Sequence, residues 1–196
     1  MKKLIPLLIL LGGAASGLAQ GTVAFQNSVA FTTVDPSGGA RLVYDLGSPL
    51  NPATGVGLTG TQFVAELYAG ADASSLQPVT ASITRFRSTT IANKGKWALS
   101  GIVGPNNPTV IPGHLPGETV ILEVRVWDFS GSTTFESAVG KTGTSLPFSY
   151  TIPAPSDASA KFFMENMQAF ALVPEPSAIA LSVMGIAGLL LIRRRK

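Results

Sequence analysis

The segment 119–128, TVILEVRVWD, alternates along its whole length. Val120, Leu122, Val124 and Val126 fall on one side of an extended chain, and Ile121, Glu123, Arg125 and Trp127 on the other. A period of two with one wholly apolar side specifies a half-buried strand and is incompatible with a helix. Segment 63–69 repeats the pattern, with Phe63, Ala65, Leu67 and Ala69 opposite Val64, Glu66 and Tyr68. Further strands are expected at 22–26, 28–33, 41–44, 79–87, 96–102, 146–151 and 168–173, and a short helix at 134–139. Turn-forming stretches separate them: DPSGG, GADASS, GPNNP, IPGHLPGE and DFSGS. No amphipathic helical period of useful length occurs. The expected fold is therefore all-β, a single β-sandwich domain over 20–172 that an immunoglobulin-like topology would fit.

The two ends are of different character. Lys2 and Lys3 precede the apolar stretch 4–11, and Gly17 and Ala19 match the small-residue pattern of a cleavage site. Residues 1–19 therefore read as a signal peptide, with signal peptidase cutting between Ala19 and Gln20. At the other end, 178–192 is 15 residues without a charge. As a helix it would be roughly 22 Å long. A bilayer core of ~30 Å needs somewhat more. Pro176 and Ser177 extend the run on one side, and the stems of Arg193, Arg194, Arg195 and Lys196 extend it on the other. A single transmembrane helix at about 176–192 is expected, with the four cations cytoplasmic and the domain outside.

Removing these ends changes the electrostatic reading. The whole chain carries 14 basic and 11 acidic residues, whereas 20–172 carries 8 basic and 10 acidic. The net positive charge belongs to the termini, and no basic stripe in the domain supports nucleic-acid binding. With no cysteine, the chain has no disulfides, thiolate metal sites or cysteine nucleophile.

VPEPSA, the apolar run and RRRK, in that order, resemble the PEP-CTERM sorting signal of Gram-negative bacteria. GTVAFQN, FVAELYAG, VRVWD and MQAFALVPEPS resemble exported PEP-CTERM proteins of Verrucomicrobia. The resemblance implies that Pro174, Glu175 and Pro176 form the motif an exosortase recognises, within a sorting and anchor segment at 173–196. It also implies an association with exopolysaccharide, and release to the cell surface or matrix. Two prolines without amide donors favour an extended motif that an enzyme can grip.

Catalytic signals are weak. His114 is the single histidine and lies in a Pro/Gly-rich loop; no G-x-S-x-G elbow accompanies the serines. Glu66, Glu118, Glu123, Asp128 and Glu136 are scattered in sequence. Glu66 and Glu123 are expected on solvated strand faces, opposite Arg87 or Arg125. A non-enzymatic protein without cofactor is expected. Calcium is the most plausible ion, at the acidic turns of Asp35, Asp45 and Asp128, although none has EF-hand spacing. Two alternatives accompany the surface-protein reading. One is a carbohydrate-binding module with Trp127 and Tyr68 as a flat, exposed platform. The other is a subunit that self-assembles through an open sheet edge.

Overall fold

A computed structural model describes residues 20–27, 41–48, 51–87, 94–97, 108–158 and 162–174. The strands are β1 (Gly21–Val23), β2 (Val43–Ser48), β3 (Asn51–Gly57), β4 (Phe63–Gly70), β5 (Gln77–Arg85), β6 (Thr109–Ile111), β7 (Thr119–Asp128), β8 (Lys141–Thr144), β9 (Phe148–Thr151), β10 (Phe170–Ala171) and β11 (Val173–Pro174). A single 3-10 turn, Phe135–Ser137, stands where the short helix was expected. The chain is all-β and sandwich-like. Its described strands form a six-stranded sheet ordered β11-β8-β7-β4-β5 with β9 also on β7, a three-stranded sheet β10-β2-β3, and a β1-β6 pair.

The two strongly alternating segments, β4 and β7, are antiparallel partners at the centre of the large sheet, in register from Phe63 opposite Asp128 to Gly70 opposite Ile121. The shared register puts their apolar sides on one face. Val120, Leu122, Val124 and Val126 pack with Phe63, Ala65 and Leu67 against Val23, Val43 and Ile111 of the smaller sheets and Phe25, Leu58 and Trp97 of the segments beside them. Trp97 lies between Phe25 and Phe86, with centroids 5.2 and 5.9 Å away. A core of this size supplies the hydrophobic drive for folding.

Two serines repair the large sheet where its ladders break. A bulge interrupts the β4–β5 register between Ala65 and Leu67, and the buried Ser82 hydroxyl accepts the Leu67 N–H there at 2.7 Å. Beside β7, β8 gives way to β9. In the gap Ser145 Oγ accepts the Val124 N–H at 2.9 Å, and the Ser145 N–H donates to the Val124 carbonyl. Both side chains do the work of a missing backbone partner.

Several expected strands are shifted or divided. The 168–173 strand splits into β10, parallel to β2, and β11, antiparallel to β8. Between them Leu172 is buried and its N–H bonds the Tyr44 carbonyl. Phe86 and Trp97 form an isolated bridge outside the named strands. The expected strand at 28–33 and the end of that at 96–102 lie outside the described residues. Strands β3, β6 and β8 have no alternation to announce them. β3 reads NPATGVG, and β6 and β8 have three and four residues.

The motif GTVAFQN is a fold element. A Cβ on Gly21 would lie 2.6 Å from Ile152 Cδ1, so the chain needs glycine there. Val23 and Phe25 are core residues. Buried Asn27 donates from Nδ2 to the Arg41 and Gly95 carbonyls at 2.9 and 2.7 Å, and accepts the Trp97 N–H at 3.0 Å.

Candidate functional site

The second face of β4 and β7 carries Val64, Glu66 and Tyr68 beside Ile121, Glu123, Arg125 and Trp127. This face is not the exposed platform anticipated for Trp127 and Tyr68. Trp127 is 0% and Tyr68 1% exposed. The reason is the segment 129–139, which turns back over the sheet. Phe129 and Phe135 lie 6.4 and 6.1 Å from the Trp127 ring, and Ala138 completes a small second core with Val64. The indole N–H donates to the Ser132 carbonyl at 3.0 Å, which satisfies its polar edge.

The carboxylates are also differently placed. Glu66 and Glu123 are buried, 4% and 7% exposed, and not on a solvated face. Arg125 is the hub. Its Nε meets Glu123 Oε1 at 2.6 Å, its Nη1 meets Glu136 Oε1 at 3.1 Å, and its guanidinium lies 3.8 Å over the Tyr68 ring. The Tyr68 hydroxyl donates to the same Glu136 oxygen at 2.8 Å. Glu66 faces Arg125 across the ladder. Burial pushes the Glu66 carboxyl above its ordinary value, and the negative Glu136 adds to this. At Glu136 burial acts upward, but the Tyr68 hydroxyl and Arg125 hold the carboxyl below its ordinary value. The Tyr68 hydroxyl is pushed up by burial and by its bond to Glu136. Three acids scattered in sequence thus converge. They converge on Arg125, Glu66 and Glu123 buried on the sheet and the exposed Glu136 in the covering segment, and Glu136 ties that segment to Tyr68 and Arg125. A glycosidase carboxylate pair needs an open cleft around a sugar and a water.

The other acids singled out in the sequence make separate contacts. Glu118 Oε2 accepts the Leu115 N–H and meets His114 Nδ1, both at 3.1 Å. Those contacts hold its carboxyl below the ordinary value. Asp45 pairs with Lys141 at 2.6 Å. Asp128 accepts the Ser130 N–H at 2.8 Å and the Ser130 hydroxyl, closing a turn. Asp35 lies outside the described residues. Among the described residues no group of three or more histidine or acidic side chains is placed to hold a metal.

Of the residues expected in the sorting segment, Pro174 ends β11 and pairs with Lys141, and Val173 pairs with Thr142. Val173 is 49% exposed. The fold therefore runs two residues past the expected boundary at 172. Gln20 is exposed next to β1. Ala19, Glu175, Pro176, Arg193, Arg194, Arg195 and Lys196 lie outside the described residues, as does the expected transmembrane segment. Among the described residues no helix is long and apolar enough to cross a membrane.

One cleft was not foreseen. It opens beside β9, between the Pro116–Gly117 turn, the TIPAPSD stretch and the segment 163–166, and has a volume of about 490 Å3. Tyr150 lies in its wall, with the hydroxyl donating to the Thr22 and Phe162 carbonyls. Burial and the nearby Glu165 push that hydroxyl up. Asn166 Nδ2 donates to the Ser149 carbonyl at 2.9 Å, and Asp157 Oδ2 accepts the Ala154 N–H at 2.9 Å. Three chain segments build this cleft, and no local motif links them. The sequence signals one of them, the Pro116–Gly117 turn within IPGHLPGE.

Comparisons with protein families, with characterised proteins and with solved structures give no match in any of the three.

Proposed function

We propose that this chain is an exported, non-catalytic surface or matrix protein of a Gram-negative bacterium, tethered by a C-terminal helix and processed by an exosortase. In this reading signal peptidase removes 1–19. The helix at 176–192 then holds the domain outside the inner membrane, with Arg193, Arg194, Arg195 and Lys196 cytoplasmic. The single observation that carries the reading is the order of elements: Pro174-Glu175-Pro176, an uncharged apolar run, then four cations.

The position of the motif supports it. Val173 and Pro174 form the outermost strand of the large sheet. Proline is tolerated there because an edge strand can spare its missing donor. The first residue of the motif therefore belongs to the strand at the domain's margin. With no spacer, the domain sits against the bilayer until the motif is cut.

The deciding experiment is intact mass spectrometry of the native protein from membrane and medium fractions of its host. The reading expects a species beginning near Gln20 and ending near Pro174-Glu175-Pro176 in medium or matrix. A species that ends at Lys196 and occurs only in membranes would reduce the tail to a permanent anchor.

A further inference from the structure

We infer that the cleft beside β9 is a binding site for a neutral saccharide. The inference does not rest on the sorting reading. It also moves the carbohydrate site away from Trp127 and Tyr68, which are buried.

The cleft has the volume of a small-ligand site, about 490 Å3, within the several-hundred-Å3 range that such sites occupy. Among the described residues, the charged ones in its lining are Asp157 and Glu165, and both are acidic. Phosphate, sulfate and uronate ligands are therefore disfavoured. The polar groups present are mainly acceptors. Among the described residues no hydrogen bond or ion pair engages the Glu165 carboxylate, and Glu165 is exposed. The Asn166 amide nitrogen is committed to Ser149, which leaves its carbonyl oxygen for an incoming donor. Ser149 adds an exposed hydroxyl.

Beside Tyr150 and Thr151, whose hydroxyls bond within the fold, the rest of the lining is apolar, with the half-buried Phe163 and flanking prolines. A ligand matching this lining presents hydroxyl donors on its rim and C–H faces on its flat sides. Sugars have that amphipathic form. The backbone under the site is firm. Tyr150 is anchored through its hydroxyl, Ala24 bridges Phe163, and Arg41 donates to the Glu165 and Met167 carbonyls. Acceptors on a fixed backbone lose little entropy on binding.

The test uses the full chain in detergent. Saturation-transfer NMR and calorimetry would be run with cellobiose, maltose, mannobiose and diacetylchitobiose. Trilysine serves as a cationic probe and digalacturonic acid as an anionic one. At least one neutral disaccharide should bind in the millimolar range, ~1 mM corresponding to weak single-site recognition. Glu165→Gln and Asn166→Ala, both at exposed positions, should each weaken it about tenfold or more. Arg85→Ala, on the other side of the molecule beside Phe129, should leave it unchanged. The proposal is overturned if no neutral disaccharide binds, if binding survives both substitutions, or if trilysine or digalacturonic acid binds more tightly. None of these outcomes bears on where the chain is cut, so the sorting reading stands or falls separately.

Discussion

Asn27 Oδ1 accepts the backbone N–H of Trp97 at 3.0 Å, across 70 positions of the chain. The same amide donates to the Gly95 and Arg41 carbonyls. One side chain thereby joins the end of the first strand region, the entry to β2 and the segment that carries the central Trp97. Every atom involved is inside the core, so no water substitutes for a lost partner.

Asn27→Ala should therefore cost about 3 kcal/mol, because it strips the buried Trp97 N–H and Arg41 carbonyl of their Asn27 partner and leaves the Gly95 carbonyl with the Val43 N–H alone. Urea unfolding reads this as a lower midpoint with an unchanged slope. Asn27→Asp should be worse at neutral pH than in acid, since it faces two carbonyls with a carboxylate. A loss under about 1 kcal/mol for the alanine variant would mean that the amide is not a structural tie.

Glu66 gives a pH-dependent prediction with a definite sign. Its carboxyl is raised above the ordinary 4.5, so the ionised form costs stability in the folded state. That cost is complete above the folded value and vanishes as pH falls below 4.5. Glu66→Gln should stabilise by roughly 1 kcal/mol at pH 7, a rise of a few degrees in Tm. The advantage should disappear in acid. Glu136 runs the other way. Its lowered value contributes stability above the ordinary carboxylate range, and that contribution is lost as pH falls through the folded value. Thermal melts of Glu66→Gln and Glu136→Gln across pH separate the two, and equal profiles would contradict the assignment.

The cover over Trp127 can be opened alone. The chain has two tryptophans, and both are fully buried. Emission should be blue and resist acrylamide. Phe135→Ala removes one wall of the Trp127 site at a cost of about 1–2 kcal/mol. It should redden the emission and make about half of it quenchable, while Trp97 stays shielded. Unchanged quenching would mean that the 129–139 segment holds through Glu136 without its aromatic contact.

Gly143 controls how closely β8 approaches the chain that leads to the proposed sorting motif. A Cβ there would lie 3.1 Å from the Ala171 carbonyl oxygen and 3.2 Å from Leu172 Cα. Gly143→Val should push that chain away, loosen β11 and cost about 2 kcal/mol. If an exosortase grips an extended motif, this variant should be released faster in pulse-chase labelling of the host. Slower release with a normal fold would indicate that the enzyme reads β11 in place on the sheet.

Much of the architecture was legible in the chain. Alternation along 63–69 and 119–128 identified two strands and the inward side of each, because a strand's pleat is a local property of consecutive residues. The turn-rich composition implied an all-β fold for the same local reason. The register that makes β4 and β7 partners, the split of the last strand into β10 and β11, and the short β3, β6 and β8 carry no such signature. Each is stabilised by a neighbour distant in sequence.

Glu66, Glu123, Tyr68 and Trp127 mark the boundary between the two kinds of information. Their sequence positions determined that they share the side opposite the apolar one. What lies over that side depends on Phe129, Phe135 and Glu136 returning across it, which only the tertiary structure decided. A polar, aromatic strand face suits water or a roof equally well. The choice was made by the area buried against Trp127 and by the bonds that Glu136 forms with Tyr68 and Arg125. The cleft beside β9 follows the same rule, since Ser149, Asp157 and Glu165 become neighbours only when three separate segments meet.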